Sequence, residues 1–510
     1  MQLPLDFIYS LVLLLEPTLL LQTVLVPIIA TPFVYFIGKR VGIRIGWLVA
    51  VLLFYSTFLL ILGIVFGVVQ SSYPWFPIGE FGFRLDGLSA QFALVITLIS
   101  ALIAIYSMPY MKHRIEGKAN ANRHFAAYFA LYLLYSAGML GTVLATNLIE
   151  FYLFFELMLV PSYFIIAQWG YGDREKVSMI YFMWTHIGAL VLLAGLLATG
   201  FLAGGFHIAT ITESVIPEIF RVGIIVAISF GFVVKMAVFG VHVWLPHAHA
   251  EAPTPISAML SPLMIGIGGY GLTRLVLLIF PTTFQAISIF FAIWALLTMF
   301  YGGIMAIAQT DIKRLLAYSS VSQMGYILFG LASFQFFGVV GATFHYISHA
   351  TCKAILFLTA GAIILHAKGI RDISRMGGLA QRMPVTAVAA IIGFLGILGF
   401  PSLNGFQSEW MIFAGAFGSA LSNNSILLLF IAAAGVISTV FTAGYSLWTI
   451  RRIFFGELPE ELANVTEPSK KITIPLIILA ILTVVLGLYP EIVVAPVKAI
   501  IESIIPFPGV

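Results

Sequence analysis

Four charged side chains stand inside long apolar runs: Glu156, Lys235, Lys353 and Glu409. A charge at the centre of a bilayer costs roughly 2.5–3.5 kcal/mol on insertion scales. Chains keep such groups where they pair, move protons or bind ions. Glu156 lies in NLIEFYLFFELMLVPSYFII. A carboxylate among Phe and Leu is desolvated, and a cation within about 4–6 Å would offset that cost. Lys235, two spans later, is the available cation. A static ion pair that fixes helix packing is the alternative.

The run HYISHATCKAILFL places His345, His349 and Lys353 at i, i+4 and i+8. On a helix these form one stripe about 12 Å long at 1.5 Å per residue. Imidazole holds and passes protons near neutral pH, so the stripe reads as part of a proton relay. Two other readings stay open. Each His could donate to a nearby carbonyl, or the pair could ligate a metal or haem. No carboxylate shares the face, and no other span offers an obvious matching His pair.

Glu409 follows the segment GFPSLNGFQS. A carboxylate is favourable at a helix N-terminus, so Glu409 could cap a half-helix and still serve an ion path. His242, His247 and His249 read equally as a proton antenna or an ordinary hydrated loop. Glu150 reads as a solvated residue near the outer surface. No cofactor and no metal is expected. The chain has a single Cys, Cys352, and no GxGxxG that follows a strand. It is therefore not expected to catalyse redox chemistry itself.

The elements that position these groups follow from composition. The 510 residues are 61% hydrophobic and 9% charged, with mean hydropathy +1.06. A soluble globular chain carries about 25% charged residues. This is an all-α polytopic membrane protein in the lipid bilayer. The net charge of +4 is too small and dispersed to indicate nucleic acid. A helix needs about 20 apolar residues to cross the hydrocarbon core. Apolar runs divide the chain into about fourteen spans: 21–38, 45–68, 88–106, 125–145, 147–168, 177–201, 220–243, 256–279, 283–307, 315–332, 338–366, 384–419, 425–450 and 472–489. Residues 3–16, interrupted by Asp6 and Glu16, read as an interfacial helix. MQLPLDFIYS has no basic n-region, so no cleavable signal peptide is expected.

Sorting Lys and Arg by connection tests the count. Nineteen of the 25 fall in alternate connections, on one side. Arg84, Arg221, Arg274 and Lys498 fall on the other, and Lys235 and Lys353 lie within spans. The positive-inside rule puts the basic loops in the cytoplasm and both termini outside, in the plasma membrane of a prokaryote.

Two spans read as broken. The seventh carries Gly240 and Pro246 beyond Lys235, and the twelfth carries Pro401, Asn404 and Gly405 before Glu409. Irregular backbone at membrane depth survives only where protein or a wet cavity satisfies it. Paired interruptions mark ion sites in inverted-repeat transporters. Spans 4–8 and 9–13 are two sets of five, and an odd number inverts the second set. The expected divisions are 1–124, 125–279 and 283–450, then 451–510 with a cytoplasmic loop, the last span and a tail.

Glu156, then FVVKMAVFGVHVWLPHAHAEAPTPISAML, then QTDIKRLLAYSSVSQMGYILFG, resembles the antiporter-like membrane subunits shared by respiratory complex I, Mrp-type Na+/H+ antiporters and energy-converting membrane-bound hydrogenases. The resemblance spans about residues 120–420. It implies fourteen transmembrane helices, two inverted five-helix repeats and broken helices 7 and 12. It also implies partner membrane subunits and the transport of H+ and possibly Na+. By this resemblance Glu156 is the helix-5 glutamate and Lys235 the helix-7 lysine. His345, His349 and Lys353 form the central relay, and Glu409 takes the helix-12 position. Ser261 and Gly266 stand where many members place His or Lys. Glu409 matches the M subunit of complex I, whereas Lys353 is not typical of it. The mosaic points to the hydrogenase or Mrp-related branch, with a complex I M-type subunit as the alternative.

The expected function is proton or Na+/H+ translocation within a larger energy-converting membrane complex. A stand-alone secondary cation transporter and an inert membrane anchor are the rivals.

Overall fold

The computed structural model describes residues 18–67 and 69–505. The expected interfacial helix at 3–16 lies outside them. Among the described residues, eleven helices are long and apolar enough to cross a membrane. One of these runs, Leu19–Phe66, is divided at Gly42 (φ 62°) into Leu19–Val41 and Ile45–Phe66. The expected spans at 220–243 and 384–419 are interrupted. The chain is a mostly helical, multi-pass membrane protein.

One element falls outside an all-helical description. Strands Gln70–Trp75 and Gly79–Arg84 pair antiparallel as a hairpin. It packs over the start of the helix Leu148–Leu157. Glu150 is fully buried there, and its carboxylate accepts from Gly82 N at 3.2 Å and Thr146 N at 3.3 Å. The solvated position expected for Glu150 is thus wrong, because the hairpin covers it.

Three helices form the buried centre: Ile312–Ala332, Phe336–His366 and the segment Thr254–Leu277. Thr254–Leu277 is irregular. It contains π-turns at Leu260–Met264 and Leu272–Leu277 on either side of Ile267–Gly271. Single π-turns recur inside α-helices at functional sites. The outer helices turn Phe, Ile, Leu and Val outward, as at Phe58, Phe290, Phe430 and Val440. In water such a surface would aggregate; against lipid tails it is at home.

Caps set several helix starts. Asp86 accepts from Leu88 N and Ser89 N, and Ser89 returns a bond to Asp86 N, opening Gly87–Ile115. Asn147 opens Leu148–Leu157, and Asp311 opens Ile312–Ala332. Each carboxylate or amide oxygen takes up otherwise orphaned N–H groups.

Candidate functional site

Both expected breaks are present. The helix Glu218–Lys235 stops at Lys235, and Trp244–Glu251 resumes the course. Between them Ala237 and Gly240 adopt positive φ, 54° and 92°. The exposed backbone is bound by protein. Trp244 Nε1 donates to Val234 O at 3.0 Å, Trp294 Nε1 to Phe239 O at 2.7 Å, and Phe239 N to Thr298 Oγ1 at 3.2 Å. In the expected twelfth span Pro384–Ile397 stops, and Asn404–Ser422 follows a turn with Gly399 at φ 75° and Ser402 at 74°. Ser348 Oγ donates to Asn404 O, and Asn404 Nδ2 to Thr351 Oγ1. These bonds meet the rule that irregular backbone in a membrane must be satisfied by its surroundings.

A third interruption was not expected. Leu148–Leu157 and Leu159–Trp169 meet at Met158. Pro161 has no N–H to return to Leu157 O, so the ladder opens there. Gly138 lets the Met158 backbone approach; a Cβ on it would stand 2.7 Å from Met158 N. Each of Glu156, Lys235 and Glu409 therefore sits beside a helix interruption.

Glu156 and Lys235 form no direct salt bridge. The Glu156 carboxylate meets His186 Nδ1 at 2.9 Å, on the helix Arg174–Ala203. Lys235 Nζ is buried, has no hydrogen-bond partner among the described residues and stands 4.5 Å from the Phe155 ring centroid. Glu156 remains within its electrostatic reach. A desolvated cation–π contact is worth about 2 kcal/mol. That is of the order of the roughly 2.5–3.5 kcal/mol cost of a charge at this depth. Lys235 is held there without a fixed hydrogen-bond partner among the described residues. His186 could have been found in the sequence: no other His, Asp, Glu, Lys or Arg occurs in the span 177–201.

The stripe on Phe336–His366 is wholly buried: His345, His349 and Lys353 are each at most 1% exposed. Lys353 Nζ donates to Leu316 O at 3.3 Å and to Ser319 Oγ. His349 has neither ring nitrogen bonded among the described residues. His345 bridges three helices, with Nε2 at 2.8 Å from Gln323 Oε1 and Nδ1 at 2.9 Å from Ser408 Oγ. Ser408 Oγ also lies 2.9 Å from Gly405 O. A hydroxyl has one proton to give. It can go to a neutral His345 Nδ1, or to Gly405 O while a protonated His345 donates to Ser408. In both arrangements Nε2–H donates to Gln323. The hydrogen bonds around His345 thus fit either protonation state after one hydroxyl rotation.

His249 corrects another expectation. It does not lie in a hydrated loop. It is fully buried, both ring nitrogens are unbonded among the described residues, and its ring stacks on Phe357 at 4.7 Å. It lies within electrostatic reach of Lys353 and His349. It is a buried titratable group near Lys353 and His349, which Ser261 and Gly266 are not. Ser261 instead bonds Ser320 at 2.7 Å. His242, also buried, meets Tyr301 OH at 3.1 Å.

Glu409 is the sixth residue of Asn404–Ser422, and Leu403 is the N-cap, so the capping role does not hold. Its carboxylate folds back on the break: a Cβ on Gly399 would stand 2.6 Å from Oε2. Tyr326, Tyr445 and Cys352 lie around it. Tyr326 stacks on His345 at 5.4 Å, which links Glu409 to the stripe. The described residues hold no cluster of three or more His, Cys, Asp or Glu suited to a metal.

The family model described as NADH:quinone oxidoreductase/Mrp antiporter, TM, matches residues 145–442, well over half of the chain. The chain belongs to this family. A second model, for the N-terminus of complex I chain 5, matches residues 75–125. Among its relatives is F(420)H(2) dehydrogenase subunit M of Methanosarcina mazei, 33% identical over 82% of this chain and 83% of the relative. A Na(+)/H(+) antiporter subunit of Alkalihalophilus pseudofirmus is 34% identical over 91% of this chain and 60% of its own length. A subunit of respiratory complex I from Thermus thermophilus superposes with TM-score 0.82 at 24% identity, over 95% of this chain and 98% of that one. The last likeness speaks to fold.

Proposed function

We propose that this member of the family is the proton- or Na+/H+-translocating subunit of a multisubunit energy-converting complex in a prokaryotic plasma membrane. Its partners are other membrane subunits. Fourteen crossings in two inverted sets of five, with both termini outside, are part of this reading. The relatives named as subunits of a dehydrogenase and of an antiporter support the class.

One observation carries the mechanism: buried titratable groups stand at both helix breaks, Lys235 and Glu409, and others, His249, Lys353, His349 and His345, are buried within reach of one another, a set we read as one row in the order Lys235, His249, Lys353, His349, His345, Glu409. Buried ionisable groups in a membrane are retained for ion paths more than for stability. Glu156 and His186 lie at the edge of the row, with side chains 19% and 35% exposed. Leu153, Val160, Met183 and Ile187 around them are exposed and apolar. A charge brought by a neighbouring subunit would draw Glu156 from His186 towards Lys235, or release it. Lys235 would then take or give its proton along the row to Lys353. His349 and then His345 carry it on, Ser408 turning its hydroxyl to accommodate the added proton on His345, and Glu409 ends the path at the second break. Changing one such pair by one pKa unit corresponds to about 1.36 kcal/mol. Several modest steps therefore suffice.

Lys235→Ala tests this. Ion flux in proteoliposomes should vanish while the subunit content of the complex stays normal. Full flux with normal assembly would refute the reading.

A further inference from the structure

The proposed row needs an entrance, and one face of the molecule offers a chain of three hydroxyls. Tyr171 lies in the short connection after Leu159–Trp169 and is half-buried. Its hydroxyl points inward and meets Tyr110 OH at 2.7 Å. Tyr110 OH meets Thr254 Oγ1 at 2.9 Å. Tyr110 and Thr254 are buried, on Gly87–Ile115 and at the start of Thr254–Met259. Each hydroxyl can donate one proton and accept another, so a row of them can shift protons by rotating in concert.

The outer end of this chain is clamped. Arg114 lies 4.2 Å over the Tyr171 ring and donates to Gly170 O at 2.6 Å. Tyr171 N donates to Glu251 O at 2.7 Å. Lys313, 1% exposed, donates to Ala252 O at 2.6 Å and stands 5.7 Å from the Tyr171 ring centroid. Asp311 and Arg371, paired at 2.6 Å, lie beyond it. A helix tether would not need a surface tyrosine turned inward onto two further hydroxyls.

The inner end points at the row. Thr254 packs against Gly361 of Phe336–His366, where a Cβ would meet Thr254 Cγ2 at 2.7 Å. Phe357, one helical turn nearer Lys353, carries His249. Thr254 is five residues beyond His249 in the chain. A bridging water would carry the remaining step to the free His249 nitrogens.

We propose that Tyr171, Tyr110 and Thr254 form the route by which protons enter the buried row from the face that carries the basic loops. Lys313 and Arg114 are positioning residues that hold the mouth. The proposal rests on the proton-carrying reading of the row, and it names the side of uptake.

The test uses the whole complex in inside-out vesicles, with proton uptake measured per assembled complex in H2O and D2O. Tyr110→Phe and Thr254→Val each remove one hydroxyl. Both should slow uptake by about tenfold or more and enlarge the solvent isotope effect. Thr254→Ser keeps the hydroxyl and should keep the rate. Lys353→Met serves as the control on the row. If it abolishes uptake while Tyr110→Phe and Thr254→Val leave the rate and the isotope effect unchanged, the entrance is wrong and the row stands. If Lys353→Met also leaves uptake intact, the row itself fails, and the entrance with it.

Discussion

Glu156 gives its carboxylate to His186 at 2.9 Å, not to Lys235. A carboxylate and an imidazole thus meet at the edge of the molecule, with a third group, Lys235, held behind Phe155. The arrangement has three partners where a simple ion pair has two. One charge can be shared between two sites, which a switch requires.

That relationship predicts strong coupling between the two. Glu156→Gln should cut transport severely while leaving a measurable residual rate. His186→Gln, which keeps a hydrogen bond but cannot titrate, should reduce it less. The double variant should match Glu156→Gln alone, because both changes break one unit. Transport assays on the three variants would show this, and losses that simply add would contradict it.

The second break should be equally sensitive. Gly399 has φ 75°, and a Cβ there would lie 2.6 Å from Glu409 Oε2. Gly399→Ala should displace the carboxylate and cut transport by roughly tenfold, about 1.4 kcal/mol, with the complex still assembled. An unchanged rate would remove Glu409 from the path.

Sequence reasoning reached the four intramembrane charges, the central stripe and both expected breaks, because each leaves a local mark. Charges interrupt apolar runs, i, i+4 spacing marks a face, and Gly or Pro interrupts a helix. It missed what depends on distant segments. His186 and Glu156 are thirty residues apart, and only packing brings them together. His249 looked like a loop residue because its burial comes from Phe357 on another helix. Glu150 looked exposed because the covering hairpin is more than sixty residues away in sequence. The interruption at Pro161 was legible, since a lone Pro inside an apolar run frees a carbonyl. It was passed over because the run is otherwise continuous.

At the end of the molecule away from most of the basic loops Asp86 meets Arg274 at 2.6 Å. Burial works against the Asp86 charge, but Arg274, the Ser89 N–H and Arg84 outweigh it and hold the carboxyl below its ordinary range. Its stabilising contribution is therefore present above the ordinary carboxyl pKa of about 3.9 and is lost as pH falls through the lower folded value. Asp86→Asn should destabilise the chain by about 3 kcal/mol, because it leaves Arg274 unpaired and buried. Thermal unfolding in detergent at neutral pH would measure the loss, and an unshifted midpoint would contradict it.

The distribution of Lys and Arg predicts the orientation. A membrane-impermeant thiol reagent should label Lys470→Cys from the cytoplasmic side, in a background where Cys352 is replaced by Ser. Labelling from outside alone would invert the topology, and with it the side of proton entry.

The central claim is that protons cross through the buried row. Lys353 is its lysine on the central helix, bonded to Leu316 O and Ser319 Oγ and closed off from solvent. Lys353→Met keeps the length and apolar stem of the side chain and removes its proton. Proton translocation per turnover of the assembled complex is the measurement. The account predicts that it falls to near zero in Lys353→Met with subunit content unchanged. Translocation at the unsubstituted level would contradict it.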